Sequence, residues 1–182
     1  MIFFTAAIFP VVCSTALVTE PPSLDDLKYA LNTPERFWNV LRSYERNTSN
    51  ELHRCIYSQT ISLQDDYYEY HQWYSHGNTV VKVLLYGKLY FKEGYPVLAV
   101  IKEREATKEY PYTLIYWNPE QHCGIFTFND SETGKEQCRL HIWEREFVKF
   151  PETYPCERDY DRLCEGKGKY TVSDRNCLGR QQ

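Results

Sequence analysis

The sequence predicts an all-β protein: an eight-stranded up-and-down antiparallel barrel with an N-terminal helix and a C-terminal helix. Three observations lead there. Seven runs rich in β-branched and aromatic residues follow one another between positions 55 and 148. Short turn signals separate them, such as His76-Gly77-Asn78, Glu93-Gly94, Asn118-Pro119 and Asn129-Asp130. Helix signals stand at both ends of the series. Short connections favour antiparallel neighbours, and about seven or eight such strands without a repeat close most simply into a barrel that can hold one small ligand. A two-sheet sandwich is the alternative.

The elements are justified in chain order. Residues 1–16 are apolar, carry no charged side chain and end in Ser14-Thr15-Ala16. That pattern suits a signal peptide cut after Ala16, with a cut after Thr19 as the second choice. The stretch is short for a membrane-spanning helix, and no later apolar run is long enough to span, so no membrane insertion is expected. Residues 17–182 then form one domain. Ser23 with Asp26 three residues later marks a helix start over 23–31. Thr33-Pro34 suggests a second helix, with Phe37, Trp38, Val40 and Leu41 on one side. The expected strands are 55–61, 67–74, 79–91, 97–103, 112–117, 123–128 and 138–148. Within 81–91 the odd positions Val81, Val83, Leu85, Leu89 and Phe91 are apolar, the mark of a strand with one face inward. Tyr67, Tyr68, Tyr70 and Tyr74 cannot all face inward, and the sequence leaves their parity open. Residues 155–165 read as the C-terminal helix, followed by a polar tail.

Composition narrows the function. A net charge of −4 gives no footprint for nucleic acid. No GxSxG, HExxH, phosphate loop or paired-carboxylate motif is present, so no enzyme is expected, and no cofactor. Cleavage of the leader removes Cys13 and leaves six cysteines: Cys55, Cys123, Cys138, Cys156, Cys164 and Cys177. In a secreted, extracellular chain these imply three disulfides, with 15 connectivities open. No CxxC pair and no ligand-spaced histidine accompany them, so no metal site is expected. Asn47-Thr48-Ser49 and Asn129-Asp130-Ser131 are N-glycosylation sequons in polar stretches, making Asn47 and Asn129 the candidate acceptors.

The C-terminal third carries Cys123-Gly124-Ile125, Cys138-Arg139-Leu140-His141, Cys156, and Tyr160-Asp161-Arg162-Leu163-Cys164. This constellation resembles the tick salivary lipocalins of the histamine-binding family, in which C-D-[VIL] leads to C-E-L-[WY] and on to further cysteines. Glu35-Arg36-Phe37-Trp38-Asn39-Val40-Leu41 resembles the family's N-terminal Trp helix, so the likeness covers most of the mature chain. The spacing and the stretch from Glu51 to Gln59 look closest to the Japanin-like group. The resemblance implies a secreted modulator of host dendritic cells with a sterol-sized ligand. It also implies the pairings Cys55–Cys177, Cys123–Cys156 and Cys138–Cys164. Because the tail has little apolar area, Cys177 is expected to hold it more than packing does.

Two departures bear on the ligand. The family's Asp stands here as Gly124 and its Glu as Arg139. One change removes a negative charge and the other reverses it. An amine cation close to Arg139 would be repelled by about 4 kcal/mol at an effective dielectric of roughly 20, unless Glu69 or Asp66 compensates. Strand alternation carried over from the family places Arg139, His141 and Trp143 on the inner face, with Phe126 and Phe128 on the neighbouring strand. An inward Arg beside a His suits a hydroxyl or carboxylate head on an apolar body, such as a sterol, a fatty acid or a leukotriene. The plainer reading is that Arg139 pairs with an interior Glu and binds nothing. Trp38 is a further candidate contact, weighed against a role as a core plug at the barrel base.

The expected function is therefore a monomeric, secreted lipocalin that binds a small hydrophobic ligand, cholesterol or a fatty-acid-like lipid, and modulates host immune cells, with a host immune-cell protein as a second partner. Competing readings are a scavenger of histamine or serotonin, a complement or leukotriene antagonist, and a module that acts through its surface loops alone.

Overall fold

A computed structural model describes residues 20–104, 106–149 and 153–179. The expected leader lies outside the described residues. The chain begins with helix α1 (Leu24–Leu31) and enters strand β1 (Phe37–Arg42). A small hairpin follows, β2 (Asn47–Thr48) and β3 (Glu51–Leu52). The long strands are β4 (Arg54–Gln64), β5 (Tyr67–His76), β6 (Thr79–Lys92), β7 (Tyr95–Ile101), β8 (Glu109–Asn118), β9 (Cys123–Asn129) and β10 (Glu136–Trp143). After them come helices α2 (Glu144–Lys149) and α3 (Glu157–Leu163), strand β11 (Tyr170–Thr171) and a 3-10 turn at Arg175–Cys177.

Strands β4 to β10 pair in sequence order, and β1 lies between β4 and β10. That closes an eight-stranded antiparallel barrel, as expected, and closure leaves its strands without a free edge. Odd positions of β6 face inward, with Leu85 and Leu89 buried, although Phe91 at the strand's end is exposed. In β5 the even parity wins: Tyr68 and Tyr70 are buried while Tyr67 is exposed.

Helix α1 begins on the expected capping box. The Asp26 amide donates to Ser23 Oγ at 3.1 Å, and the Ser23 amide donates to Asp26 Oδ2 at 2.8 Å. Its buried face, Leu27, Ala30 and Leu31, closes one end of the barrel. Backbone carbonyls at its last turn accept from the barrel wall: Ala30 from Trp143 Nε1 at 3.0 Å, and Leu31 from Thr60 Oγ1 at 2.7 Å.

Two expectations about elements are corrected. The second helix after Thr33-Pro34 does not form; Phe37 to Arg42 is strand β1, with all six residues buried. Both faces of this strand are covered, so its apolar residues do not alternate, and the pattern imitates a helix face. The strand expected over 138–148 ends at Trp143 and gives way to α2, which lies over β1 and β10.

A second core explains that double cover. Outside the barrel wall, Trp38, Val40, Leu41, Ile125, Leu140 and Ile142 pack with Phe147 of α2 and Tyr160 of α3. Trp38 stacks on Phe147 at 4.7 Å and meets Tyr57 at 4.8 Å. All three implied disulfides are present: Cys55–Cys177, Cys123–Cys156 and Cys138–Cys164. They lie in this outer core and staple the C-terminal segment to β4, β9 and β10.

The tail is held by more than Cys177. The Cys55 amide donates to the Val172 carbonyl, the Val172 amide donates to Val40, and Ser173 Oγ accepts from the Ile56 amide at 2.8 Å. Backbone pairing and two buried residues, Val172 and Ser173, thus share the load.

Replacing Cys55 and Cys177 together by serine is expected to cost about 2–5 kcal/mol of stability, read from urea unfolding. Hydrogen exchange should report the tail's remaining grip, with the amides of Val172 and Ile56 still slower than those of the exposed β2–β3 hairpin.

Candidate ligand-binding site

The barrel encloses a cavity of about 520 Å3, inside the ~300–1,000 Å3 range of small-molecule sites. Its floor is the end closed by α1. There Phe37, Leu31, Tyr68, Leu98 and Phe126 meet in an apolar basin. Val83, Leu85 and Val100 continue the apolar wall upward, with Tyr70 facing them. Burial pushes the Tyr68 and Tyr70 phenols well above their ordinary value, so both stay neutral donors.

The wall turns polar higher up. His141 packs between Phe37 and Phe126, with ring centres 4.9 and 5.3 Å away. The Asn39 amide oxygen accepts from His141 Nε2 and from Arg42 Nε, both at 3.1 Å, in the orientation that also lets its nitrogen donate to the Leu41 carbonyl. Burial first, then the nearby charges of Arg139 and Arg42, push the His141 pKa well below its ordinary value. The ring is therefore neutral.

Arg139 lies on the next inward position of β10 and is buried. Its Nε donates to Tyr44 Oη at 2.6 Å and a terminal nitrogen donates to Tyr112 Oη at 3.2 Å. The guanidinium stacks over the Tyr112 and Phe128 rings at 4.5 and 4.7 Å. Among the described residues no carboxylate pairs with it, so the expected alternative of an interior Glu partner is not what is found. Burial pushes the Tyr44 phenol up, but Arg139, Arg42 and Arg46 outweigh it and bring its pKa below the ordinary value.

Of the expected contact residues, Phe126, Phe128, Arg139 and His141 line the cavity. Trp38 and Trp143 do not. Trp38 points out of the barrel into the second core, because alternation along β1 puts Phe37 and Asn39 inside. Trp143 lies beneath the floor, where it stacks on His122 at 4.3 Å and hydrogen-bonds α1. Asp66 pairs with Lys28 on the outside at 2.9 Å, and Glu69 is on the outward parity of β5, so neither supplies a carboxylate to the cavity. Both sequon asparagines are exposed, Asn47 on the β2–β3 hairpin and Asn129 on the cavity rim.

Arg42 also lines the cavity, although nothing in the sequence singles it out. A bulge is the reason. Phe37 opposes Trp143 and Asn39 opposes His141, but Leu41 opposes Leu140 and Arg42 opposes Arg139. Val40 is the extra residue. It shifts the parity by one, turning Arg42 inward where strict alternation would leave it outside. A second bulge, at Ile115 in β8, does the same for Trp117, which swings in over Gly124. A Cβ added at Gly124 would lie 2.9 Å from Trp117 Cε3 and 3.1 Å from Leu114 Cδ1. The glycine is thus required by a close approach, and the space an acidic side chain would need is already filled.

A model of the family described as tick histamine binding protein matches residues 21–179. No curated protein matches the chain. Among solved structures, Japanin from Rhipicephalus appendiculatus bound to cholesterol is similar in fold, with a TM-score of 0.54 at 14% identity, over 81% of this chain and 98% of that one. Apocrustacyanin C1 superposes less well, with a TM-score of 0.42 at 14% identity, over 79% of this chain and 77% of that one.

Two outcomes test this geometry. Gly124→Asp should destabilise the protein by about 1–3 kcal/mol and change the tryptophan near-UV signal, because Trp117 must move. The low pKa of His141 means the unfolded chain binds a proton that the folded one does not. Stability should therefore fall as pH drops below about 6.5, by up to about 1.4 kcal/mol per unit for this one group. His141→Gln should make urea-unfolding stability less steep between pH 7 and 5; an unchanged slope would show that the buried ring is not neutral.

Proposed function

Because the chain belongs to the tick histamine-binding protein family, we propose that it is a secreted lipocalin that sequesters a small hydrophobic ligand and so modulates host immune cells during feeding. It acts by holding the ligand rather than by turning it over. A sterol or a fatty-acid-like lipid has the required chemistry, an apolar body for the basin and one polar end for the upper wall. The cholesterol bound to Japanin is a ligand of that kind. Host dendritic cells are the target to test, with the protein acting as a monomer.

The observation that carries the reading is the charge of the cavity. Arg42 and Arg139 are buried in its wall, and Arg46, Lys102 and Lys108 stand nearer the mouth. Among the described residues the one carboxylate lining it, Glu109, is held by Lys88 at 3.2 Å. A protonated amine entering this space would lose its hydration and meet like charge, a repulsion of about 4 kcal/mol for one guanidinium at 4 Å and an effective dielectric of roughly 20. The amine-scavenger reading is disfavoured on that ground, although the family is described by histamine.

Protein secreted from eukaryotic cells, extracted in organic solvent and analysed by mass spectrometry, should release a co-purified sterol or fatty acid. Titration calorimetry with histamine and serotonin should show no submicromolar binding; such binding would overturn the reading.

A further inference from the structure

The upper wall of the cavity holds two guanidiniums directly opposite each other on β1 and β10, and among the described residues neither has an acidic partner. Arg42 and Arg139 are both more than nine-tenths buried and both line the cavity. A guanidinium stays charged when buried, because no partial loss of basicity brings it near neutral pH. Arg42 illustrates this: burial brings its pKa down to about 10, with Arg139 adding to the fall, and the group is still a cation. Two like charges are therefore kept side by side in a space that water reaches only from the mouth. A buried cation ordinarily has an anion beside it. Among the described residues their hydrogen-bond partners are neutral acceptors, the Asn39 oxygen and the Tyr44 and Tyr112 hydroxyls, and their other neighbours of note are the uncharged faces of Tyr44, Tyr112 and Phe128.

Those acceptors take a specific share of the donors. Asn39 uses Nε of Arg42, so both terminal nitrogens of Arg42 have no partner in the wall. Tyr44 and Tyr112 use Nε and one terminal nitrogen of Arg139, so its other terminal nitrogen is likewise unclaimed. The unclaimed donors come from two cations, which suits a group with two acceptor oxygens and one negative charge. The apolar basin lies below them and the mouth above. A chain occupying the basin would bring its head group to this level.

We propose that the cavity takes a carboxylate amphiphile, tail toward α1, with the carboxylate held between Arg42 and Arg139. The proposal rests on the cavity being a lipid site and specifies which lipid class it selects. Lys102 and Lys108 at the mouth add a positive field on the approach path. Neutral ligands such as sterols fill the basin but leave both guanidiniums uncompensated.

The test uses the delipidated secreted protein with three probes at pH 7.4: oleate, methyl oleate and cholesterol, read by titration of tryptophan fluorescence. Oleate should bind at least about tenfold more tightly than its methyl ester, which has the same tail and no charge. Arg42→Gln and Arg139→Gln should each reduce that preference to about threefold or less. Equal binding of oleate and ester by the unaltered protein overturns the carboxylate site and leaves the hydrophobic cavity standing; that comparison holds whether or not the variants fold. A preference that survives both substitutions overturns it as well. Failure of all three probes to bind would instead sink the lipid-site reading itself.

Discussion

Strands β9, β10 and β1 are covered on both faces, and much of the rest of the molecule follows from that double cover. Their inner side chains wall the cavity, and their outer ones, among them Ile125, Leu140, Ile142 and Trp38, form a core with α2 and α3. Burying so many apolar side chains outside the barrel gives this wall a stability that does not depend on what fills the inside. The three disulfides lie in that outer core and hold its cover in place. A wall secured from outside can carry costly groups within. Two buried guanidiniums and a neutral histidine sit on these very strands, whereas the singly covered strands β5 and β6 present tyrosines, aliphatic residues and the uncharged Gln72 to the cavity.

The polarity of the cavity is graded along its axis. At the closed end α1 shuts out water with Leu27, Ala30 and Leu31. At the open end His53 stacks on Tyr74 at 4.4 Å beside Arg46. Between them the grading depends on two bulges rather than on composition. The bulge at Val40 turns Arg42 inward, and the bulge at Ile115 brings Trp117 over Gly124. The first adds a cation to the upper wall. The second packs Trp117 into the space over Gly124.

Much of the fold is legible in the residues. Ser23 and Asp26 announce α1 through a local hydrogen-bond pair, which needs no tertiary context. The period-two pattern of Val83, Leu85 and Leu89 announces a half-buried strand. The stretch from Phe37 to Arg42 reads as helical for a tertiary reason: a strand covered on both faces loses its alternation, and burial by α2 cannot be seen locally. The site was legible to the same depth. Phe126, Phe128, Arg139 and His141 are placed inward by the family resemblance together with alternation along unbroken strands, and they line the cavity. Arg42 does not follow, because an extra residue in one strand shows only against its partner. Trp38 and Trp143 are large aromatics on the right elements, one facing the wrong side of the wall and one lying below the floor.

The bulge at Val40 also changes what counts as a small difference between related chains. Because one extra residue decides whether Arg42 stands in the cavity or on the outer surface, the number of residues between Trp38 and Arg42 matters as much as their identities. A relative one residue shorter there, with every side chain otherwise the same, would present its arginine to the outer core and an aliphatic residue to the ligand. A gap in that short stretch of an alignment is therefore an electrostatic event. An insertion or deletion in β1 would thus change the charge of the cavity wall without any substitution in the strand.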